Sequence, residues 1–263
     1  MADAILVIDE GTTSTRAMLF ARDGRCLASE QTELTQSYPR PGWVEHDAAE
    51  IWRKTLSAAG AMVAQAGGPA NVAAIGITNQ RETVVFWDKV SGEPLAPAIV
   101  WQDRRTADDC RRLRDAGHEE VVQRTTGLLL DPYFSATKIG WALREWPQLR
   151  EAGERLAIGT VESWLVWKLT GLHVTDATNA SRTALMALDG GWDEVLCELF
   201  GVPRTALPEI VDCAGRFGET RRFGDAALAR PASVGPILPA TPSTIRSPST
   251  LATSSAVIAA ICQ

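Results

Sequence analysis

The sequence lacks the features that mark several large classes of protein. Its 263 residues include five scattered cysteines with no Cys-x-x-Cys pair, so neither a disulfide framework nor a zinc site is predicted. No apolar run approaches the roughly 18 residues of a membrane span, and no basic segment precedes the first apolar run as in a signal peptide. A net charge of -6 argues against nucleic-acid binding, which needs clustered cations. These absences favour a cytoplasmic protein.

The two common glycine-rich nucleotide motifs, GxGxxG and the Walker loop with its lysine, are also absent. Instead, the stretch ILVIDEGTTSTRAMLF has a polar turn between two apolar segments. Asp9 is suited to Mg²⁺, and Gly11 lets the backbone approach a phosphate. The side chains suited to phosphate oxygens are Thr12, Thr13, Ser14 and Arg16. The alternative is a solvated polar turn.

The periodicity of the apolar residues predicts an α/β fold with a mixed sheet. Strands are predicted at residues 5–8, 17–20 and 26–34, on either side of the polar elbow at 78–83, and at 96–101. Helices are predicted from the N-cap Asp47 to Gly67 and at residues 106–115, 119–125, 137–146 and 161–169. Strands that come first as a meander, followed by strands alternating with helices, are typical of mixed rather than all-parallel sheets.

A second polar cluster, TNQRET, lies between two apolar strands. Arg81 and Glu82 offer donors and acceptors from one short loop, which suits a polyhydroxyl ligand. The alternative is an exposed ion pair of little energetic value.

Two aromatic residues are candidates for the same pocket. Trp101 ends a predicted strand and can pack against the carbon face of a small polyol, although most of the nine tryptophans must serve ordinary packing. Tyr133 follows Asp131-Pro132, which is equally a turn signal. None of the three histidines has a neighbouring nucleophile or metal-ligand spacing, and His46 is predicted to fix a loop.

The composition changes near residue 221. Residues 227–263 contain five prolines and no acidic residue, and only residues 256–261 have a convincing secondary-structure pattern. The sequence therefore predicts a domain at residues 1–220 and a distinct low-charge, Pro/Ser/Thr-rich tail at 221–263.

Six blocks resemble, in order, the amino-terminal half of the FGGY family of carbohydrate kinases. They are DEGTTSTRAMLF, YPRPGWVEHD, AAIGITNQRET, AIVWQDRRT, GLLLDPYFSATKIGW and VTDATNASRTALM. Within the family, NQRET, VWQDRRT and DPYFSATK point to glycerol rather than to a pentose or hexose.

The resemblance implies an actin-like, ribonuclease-H-like fold whose two domains face a cleft. It implies ATP and Mg²⁺ as cofactors, glycerol as substrate, and transfer of the γ-phosphoryl group to give sn-glycerol 3-phosphate and ADP. Asp9 would meet the Mg²⁺, and four residues would meet the nucleotide phosphates: Thr12, Thr13, Ser14 and Arg16. The glycerol site would be lined by Arg81, Glu82, Trp101 and Tyr133. One departure is Glu10, where the family usually has glutamine; it would repel ATP phosphates, strengthen metal binding, or matter little if it faces solvent.

The larger departure concerns the end of the chain. The family's general base is an Asp in a Gly-Asp-Gln stretch, and none occurs after Thr220, so no catalytic base is assigned and the second domain is expected to be missing. The composition of the tail is typical of GC-rich DNA translated in a shifted frame; a genuine divergent tail or a fragment with a natural linker is the alternative. We expect a truncated, poorly active kinase, the rival function being a non-catalytic polyol- or partner-binding module. A homo-oligomer is possible.

Overall fold

The computed structural model describes residues 3–214, 216–223 and 257–260. The strands in this part of the chain are β1 (Ala4–Glu10), β2 (Ser14–Ala21), β3 (Cys26–Glu33), β4 (Glu45–His46), β5 (Val72–Asn79), β6 (Val84–Asp88), β7 (Ala98–Ile99), β8 (Leu156–Thr160), β9 (Val174–Asp176), β10 (Glu209–Val211) and β11 (Val257–Ala260). The helices are α1 (Ala48–Gln65), α2 (Ala107–Asp115), α3 (Glu119–Thr126), α4 (Ser135–Glu145), α5 (Pro147–Glu151), α6 (Val161–Thr170), α7 (Ala177–Ala180) and α8 (Glu194–Phe200).

The largest sheet has the strand order β11-β5-β1-β2-β3. Strands β1, β2 and β3 form the predicted antiparallel meander, and β5 and β11 run parallel to their neighbours, so the sheet is mixed as predicted. The Asp23-Gly24 turn joins β2 to β3, and Gly24 has a φ of 86°, which glycine adopts at low cost. Strand β1 alternates buried and half-buried residues, so its two faces have different environments.

Helix α1 packs against the buried face of this sheet. It begins as predicted, with the Asp47 side chain accepting a hydrogen bond from the Ala49 amide. Gly67, two residues beyond its end, has a φ of 80° and donates its N–H to the carbonyl of Ala64.

A second sheet, β4-β7-β6-β8, separates two apolar cores. Every residue of β6 is buried, and its side chains alternate between the cores. Val85 and Trp87 join the core of the first sheet and α6, whereas Val84 and Phe86 join the core around α4.

Some predicted bounds differ from the observed ones. The strand predicted at residues 96–101 is only Ala98–Ile99, because Pro97 has no N–H for a ladder and Trp101 already lies in a turn. Strands β4, β8, β9 and β10 and helices α5, α7 and α8 were not predicted, and all of them except α8 have at most five residues.

Most of the tail at residues 221–263 lies outside the described residues. Within it, β11 falls where the sequence pattern indicated regular structure, at 256–261, and pairs in parallel with β5. In the described part of the chain, no helix is long and apolar enough to cross a membrane. The cytoplasmic location stays a prediction.

Candidate functional site

The polar turn between β1 and β2 is a tight hairpin. The Gly11 amide donates to the carbonyl of Ser14 at 3.0 Å, which closes the turn. Because side chains alternate along β1, Asp9 and Glu10 face opposite sides of the sheet. Asp9 lines an open cleft, whereas Glu10 is completely buried against α1.

The burial of Glu10 bears on the three effects considered for it, which were repulsion of ATP phosphates, stronger metal binding, and little effect in solvent. Its carboxyl oxygens accept hydrogen bonds from the hydroxyls of Thr15 at 2.5 Å and Thr55 at 2.7 Å. Burial, together with the nearby charge of Asp9, raises the pKa of Glu10 from 4.5 to about 8 despite these bonds. The Glu10 carboxyl is therefore a protonated core group at neutral pH, directed towards Thr55 of α1 and not towards solvent.

The NQRET loop between β5 and β6 is fastened to the hairpin by Gln80. The Gln80 amide donates to the carbonyl of Glu10, and its side-chain nitrogen donates to the carbonyl of Gly11, both at 3.0 Å. Its side-chain oxygen accepts from the Thr83 hydroxyl at 2.9 Å, and that hydroxyl in turn accepts from the amide of Trp101 at 3.1 Å. Gln80 thus links its loop to the hairpin directly, and Thr83 links the same loop to the Trp101 segment.

Two aromatic side chains form a wall of the cleft. The indole N–H of Trp101 donates to the hydroxyl of Thr12 at 2.8 Å, which links the aromatic wall to the hairpin. Trp101 and Tyr133 meet edge to face, with ring centroids 5.6 Å apart. The Tyr133 amide donates to Asp131, which fixes the start of the loop before α4.

The cleft has a volume of about 260 Å³. Six of the nine predicted site residues line it: Asp9, Thr12, Arg81, Glu82, Trp101 and Tyr133. Within the described residues, neither the Asp9 carboxylate nor the Arg81 guanidinium has a hydrogen bond or ion pair, so both charges are available to a ligand.

The other three predicted residues, Thr13, Ser14 and Arg16, do not line this cleft. Arg16 lies opposite Asp9 in the strand register, but its guanidinium donates to the side-chain oxygen of Gln31 at 2.8 Å. Gln31 donates in turn to the hydroxyl of Ser14 at 3.0 Å. These polar groups lie on the same sheet face as Asp9, beside the cleft.

Glu82 is not paired with its neighbour Arg81. It is 3% exposed, and its Oε1 accepts from Nε of Arg182 at 2.7 Å. The alternative of an exposed ion pair on the loop is therefore wrong for this residue.

Sequence reasoning missed three residues that shape the cleft: Gln80, Lys138 and Arg182. The Lys138 ammonium is completely buried and donates to the carbonyls of Tyr133 at 2.6 Å and Phe134 at 3.2 Å. Its desolvation, partly offset by the charges of Asp103 and Glu82, lowers its pKa to about 7. All three lie in the blocks that carry the family resemblance, but no local pattern shows which side chains they meet.

The histidines take no part in the cleft lining. His46 lies in β4, is 2% exposed, and has Nδ1 3.5 Å from the Gln80 side-chain nitrogen, so it lies behind the NQRET loop. Its predicted role in fixing a loop stays a prediction. His173 contacts the carbonyl of Ile158, and His118 precedes α3.

Residues 4–231 match the family model of the FGGY family of carbohydrate kinases, N-terminal domain. The chain belongs to the FGGY family. It is 56% identical over 227 residues to a glycerol kinase of Methylobacterium nodulans and 52% identical over 231 residues to one of Gluconobacter oxydans. The matches take in 84% and 85% of this chain but 45% of each relative, so this FGGY chain spans about half the length of the curated relatives it matches.

Solved structures of carbohydrate kinases are also similar to this chain. A crystal structure of Plasmodium falciparum glycerol kinase with ADP is similar with a TM-score of 0.80 and 33% identity, over 84% of this chain and 46% of that one. A xylulose kinase of Rhodospirillum rubrum is similar with a TM-score of 0.75 and 25% identity, over 82% of this chain and 44% of that one. The predicted actin-like carbohydrate kinase fold and the resemblance to the amino-terminal half of the family are confirmed.

Proposed function

We propose that this FGGY chain forms the glycerol side and the phosphate-binding hairpin of a glycerol kinase site. The reaction is transfer of the γ-phosphoryl group of ATP to glycerol, giving sn-glycerol 3-phosphate and ADP. The observation that carries the proposal is the meeting of the hairpin, the NQRET loop and the aromatic wall in one cleft. The similarity to glycerol kinases supports glycerol over other polyols.

In this proposal, glycerol binds between charged and aromatic groups. The unpaired Arg81 guanidinium donates to one hydroxyl, and Glu82 accepts from another through the oxygen that Arg182 leaves free. The rings of Trp101 and Tyr133 contact the carbon backbone. A site with charged partners for each hydroxyl discriminates against analogues that lack one, because its own groups are then left unpaired.

The hairpin residues are suited to Mg²⁺-ATP. Mg²⁺ usually takes one or two carboxylates from a protein and its other ligands from phosphates and water. The unpartnered Asp9 carboxylate fits that requirement, and the protonated, inward-facing Glu10 adds no charge. Bound Mg²⁺ would supply charge neutralisation to the phosphates. The groups proposed to bind phosphate oxygens are the hydroxyls and amides of Thr12, Thr13 and Ser14 and the guanidinium of Arg16.

With these assignments, no carboxylate that lines the described cleft is left for general-base work. Asp9 is assigned to the metal, Glu10 faces α1, and Glu82 is held by Arg182. Phosphoryl transfer depends on positioning and charge stabilisation, so we propose that the 263-residue chain turns over slowly or not at all. The same observation favours the second candidate, a module that binds a polyol without catalysis. The domain bounds 1–220 and 221–263 and a homo-oligomeric state are part of the proposal.

Two measurements on the purified chain test the proposal. Calorimetric titration should detect glycerol binding that Glu82→Ala weakens at least tenfold, because a hydrogen bond to a charged group is lost. Glycerol-dependent release of ADP from Mg²⁺-ATP should be absent or slow. Absence of glycerol binding by the wild-type chain contradicts the proposed glycerol site. Rapid turnover that Asp9→Ala abolishes contradicts the proposed lack of a base.

A further inference from the structure

Arg182 connects two distant parts of the cleft. It lies two residues beyond α7, and its Nε donates to Oε1 of Glu82, 100 residues earlier in the chain, at 2.7 Å. The side chains of Arg182 and Glu82 are 26% and 5% exposed. The pair is thus largely removed from water, where a charge–charge hydrogen bond has more effect than at the surface.

The same guanidinium also packs against the aromatic residues at the start of α4. Its carbon is 5.5 Å from the ring centroid of Tyr133 and 4.9 Å from that of Phe134. Arg182 therefore contacts two of the residues that line the proposed glycerol site, Glu82 and Tyr133, without lining it itself.

The backbone around Arg182 is tightly fixed. The Arg182 amide donates to the carbonyl of Asn179 at 3.1 Å, and the carbonyl of Thr183 accepts from the amide of Ala136 on α4 at 2.8 Å. Ala184 has a φ of 61°, the only positive φ of a non-glycine residue in the described ranges. A buried alanine in this left-handed conformation costs free energy that the surrounding contacts must offset.

We infer that Arg182 is a positioning residue that holds Glu82 as an ionised acceptor for one hydroxyl of the bound polyol and so sets the preference for glycerol over its deoxy analogues. The inference rests on the proposed function. It assigns to Arg182 a role in the choice of ligand, which a purely structural ion pair would not have.

The physical reason lies in the burial of Glu82. A carboxylate that is 3% exposed needs a cation, because desolvation otherwise favours its neutral form. With Arg182 bonded to Oε1, Oε2 has no partner among the described residues and is left as the acceptor. Without Arg182, Glu82 is no longer held in place as a hydrogen-bond acceptor. A ligand hydroxyl at this position then binds little better than the hydrogen atom that replaces it in a deoxy analogue.

The chain contains a matched ion pair outside the cleft. Arg155 binds Asp88 at 2.5 Å, and the Asp88 side chain is 5% exposed, as is that of Glu82. Arg155 is 56% exposed, against 26% for Arg182, and Asp88 keeps the amides of Val90 and Ser91 as donors. Arg155→Gln therefore controls for the loss of an arginine–carboxylate pair outside the cleft.

The experiment is calorimetric titration of the full chain with glycerol, 1,2-propanediol and 1,3-propanediol, each analogue lacking one hydroxyl. The wild-type chain should prefer glycerol to at least one analogue. Arg182→Gln should weaken glycerol binding about 10- to 100-fold and leave binding of that analogue nearly unchanged, so that the preference is lost. Arg182→Lys keeps the charge without the fork geometry and should restore part of the preference. Arg155→Gln should keep all of it.

A double-mutant cycle tests whether Arg182 acts through Glu82. In a Glu82→Gln background, Arg182→Gln should cause less than a threefold further loss of glycerol affinity. Independent, additive losses would overturn the inference.

The outcomes separate the inference from the proposed function. A wild-type chain with no preference for glycerol overturns both. A wild-type preference that survives in folded Arg182→Gln overturns the inference alone. If thermal unfolding shows that Arg182→Gln does not fold, Arg182→Lys decides, because an undiminished preference in that variant also overturns the inference.

Discussion

Replacing Glu10 with glutamine should stabilise the protein, and the gain should grow as the pH rises. Burial raises the pKa of Glu10 from 4.5 to about 8, so between these values the folded chain holds a proton that the unfolded chain has released. The contribution of Glu10 to stability is therefore fully present below pH 4.5 and is lost as the pH rises towards 8. Glutamine does not titrate, so its contribution to stability does not change with pH. It can also occupy the same position, because its amide can accept a hydrogen bond from one of the hydroxyls of Thr15 and Thr55 and donate one to the other.

The size of the effect follows from the two pKa values of Glu10. Each pH unit between them is equivalent to about 1.4 kcal/mol of unfolding free energy. The glutamine variant should therefore be more stable than the wild type by about 1 kcal/mol at pH 5 and about 3 kcal/mol at pH 7. The difference should level off above pH 8.

Urea unfolding at pH 5, 6, 7 and 8, at constant ionic strength, measures this difference. Comparing the two proteins at each pH cancels the titration of other buried groups, such as Glu162 and His46, whose pKa values burial also shifts. Glu30→Gln, on the exposed surface of β3, is the control and should change stability little at any pH. A difference between Glu10→Gln and wild type that is the same at pH 5 and pH 7, or a less stable variant at pH 7, would refute this account of Glu10.

Two further predictions concern stability. The methyl group added by Gly60→Ala in α1 has no neighbouring atom within 4 Å, so this substitution should raise the free energy of unfolding in urea by about 1 kcal/mol. The methyl group added by Gly140→Ala in α4 would lie 2.4 Å from the carbonyl oxygen of Phe200, so this substitution should lower the free energy of unfolding by at least as much. Equal effects of the two substitutions would contradict this packing. Burial lowers the pKa of Lys138 from 10.5 to about 7, so wild-type stability should rise with pH between these values, and Lys138→Met should remove that rise. A rise that persists unchanged in the variant would show that Lys138 is not its source.

The fold was predicted best where the sequence signals, such as apolar runs, turns and helix caps, are local. The meander of β1 to β3 follows from short apolar runs joined by an Asp-Gly turn, and α1 follows from its cap and its stripe of apolar residues. The missed strands β9 and β10 have three residues each and pair with each other across more than thirty residues of chain. Such a short segment has no period to detect, so only tertiary contacts identify it.

For the cleft, the sequence predicted which residues line it better than which side chains they bond to. Six of the nine predicted residues line it, but Arg81 and Glu82 are not a pair, and Arg16 is bonded to Gln31 beside the cleft. The orientation of Glu10 was left open because alternation along β1 gives two faces without saying which one α1 covers.

The partners could not be predicted because the bonds that shape the cleft join loops far apart in sequence. Trp101 reaches Thr12 across 89 residues, and Arg182 reaches Glu82 across 100. Each loop alone is also consistent with a solvated polar turn, and only the packing of both sheets brings the loops within hydrogen-bond distance. A substitution in either sheet that shifts one loop should therefore alter glycerol binding at the proposed site without changing a residue that lines the cleft.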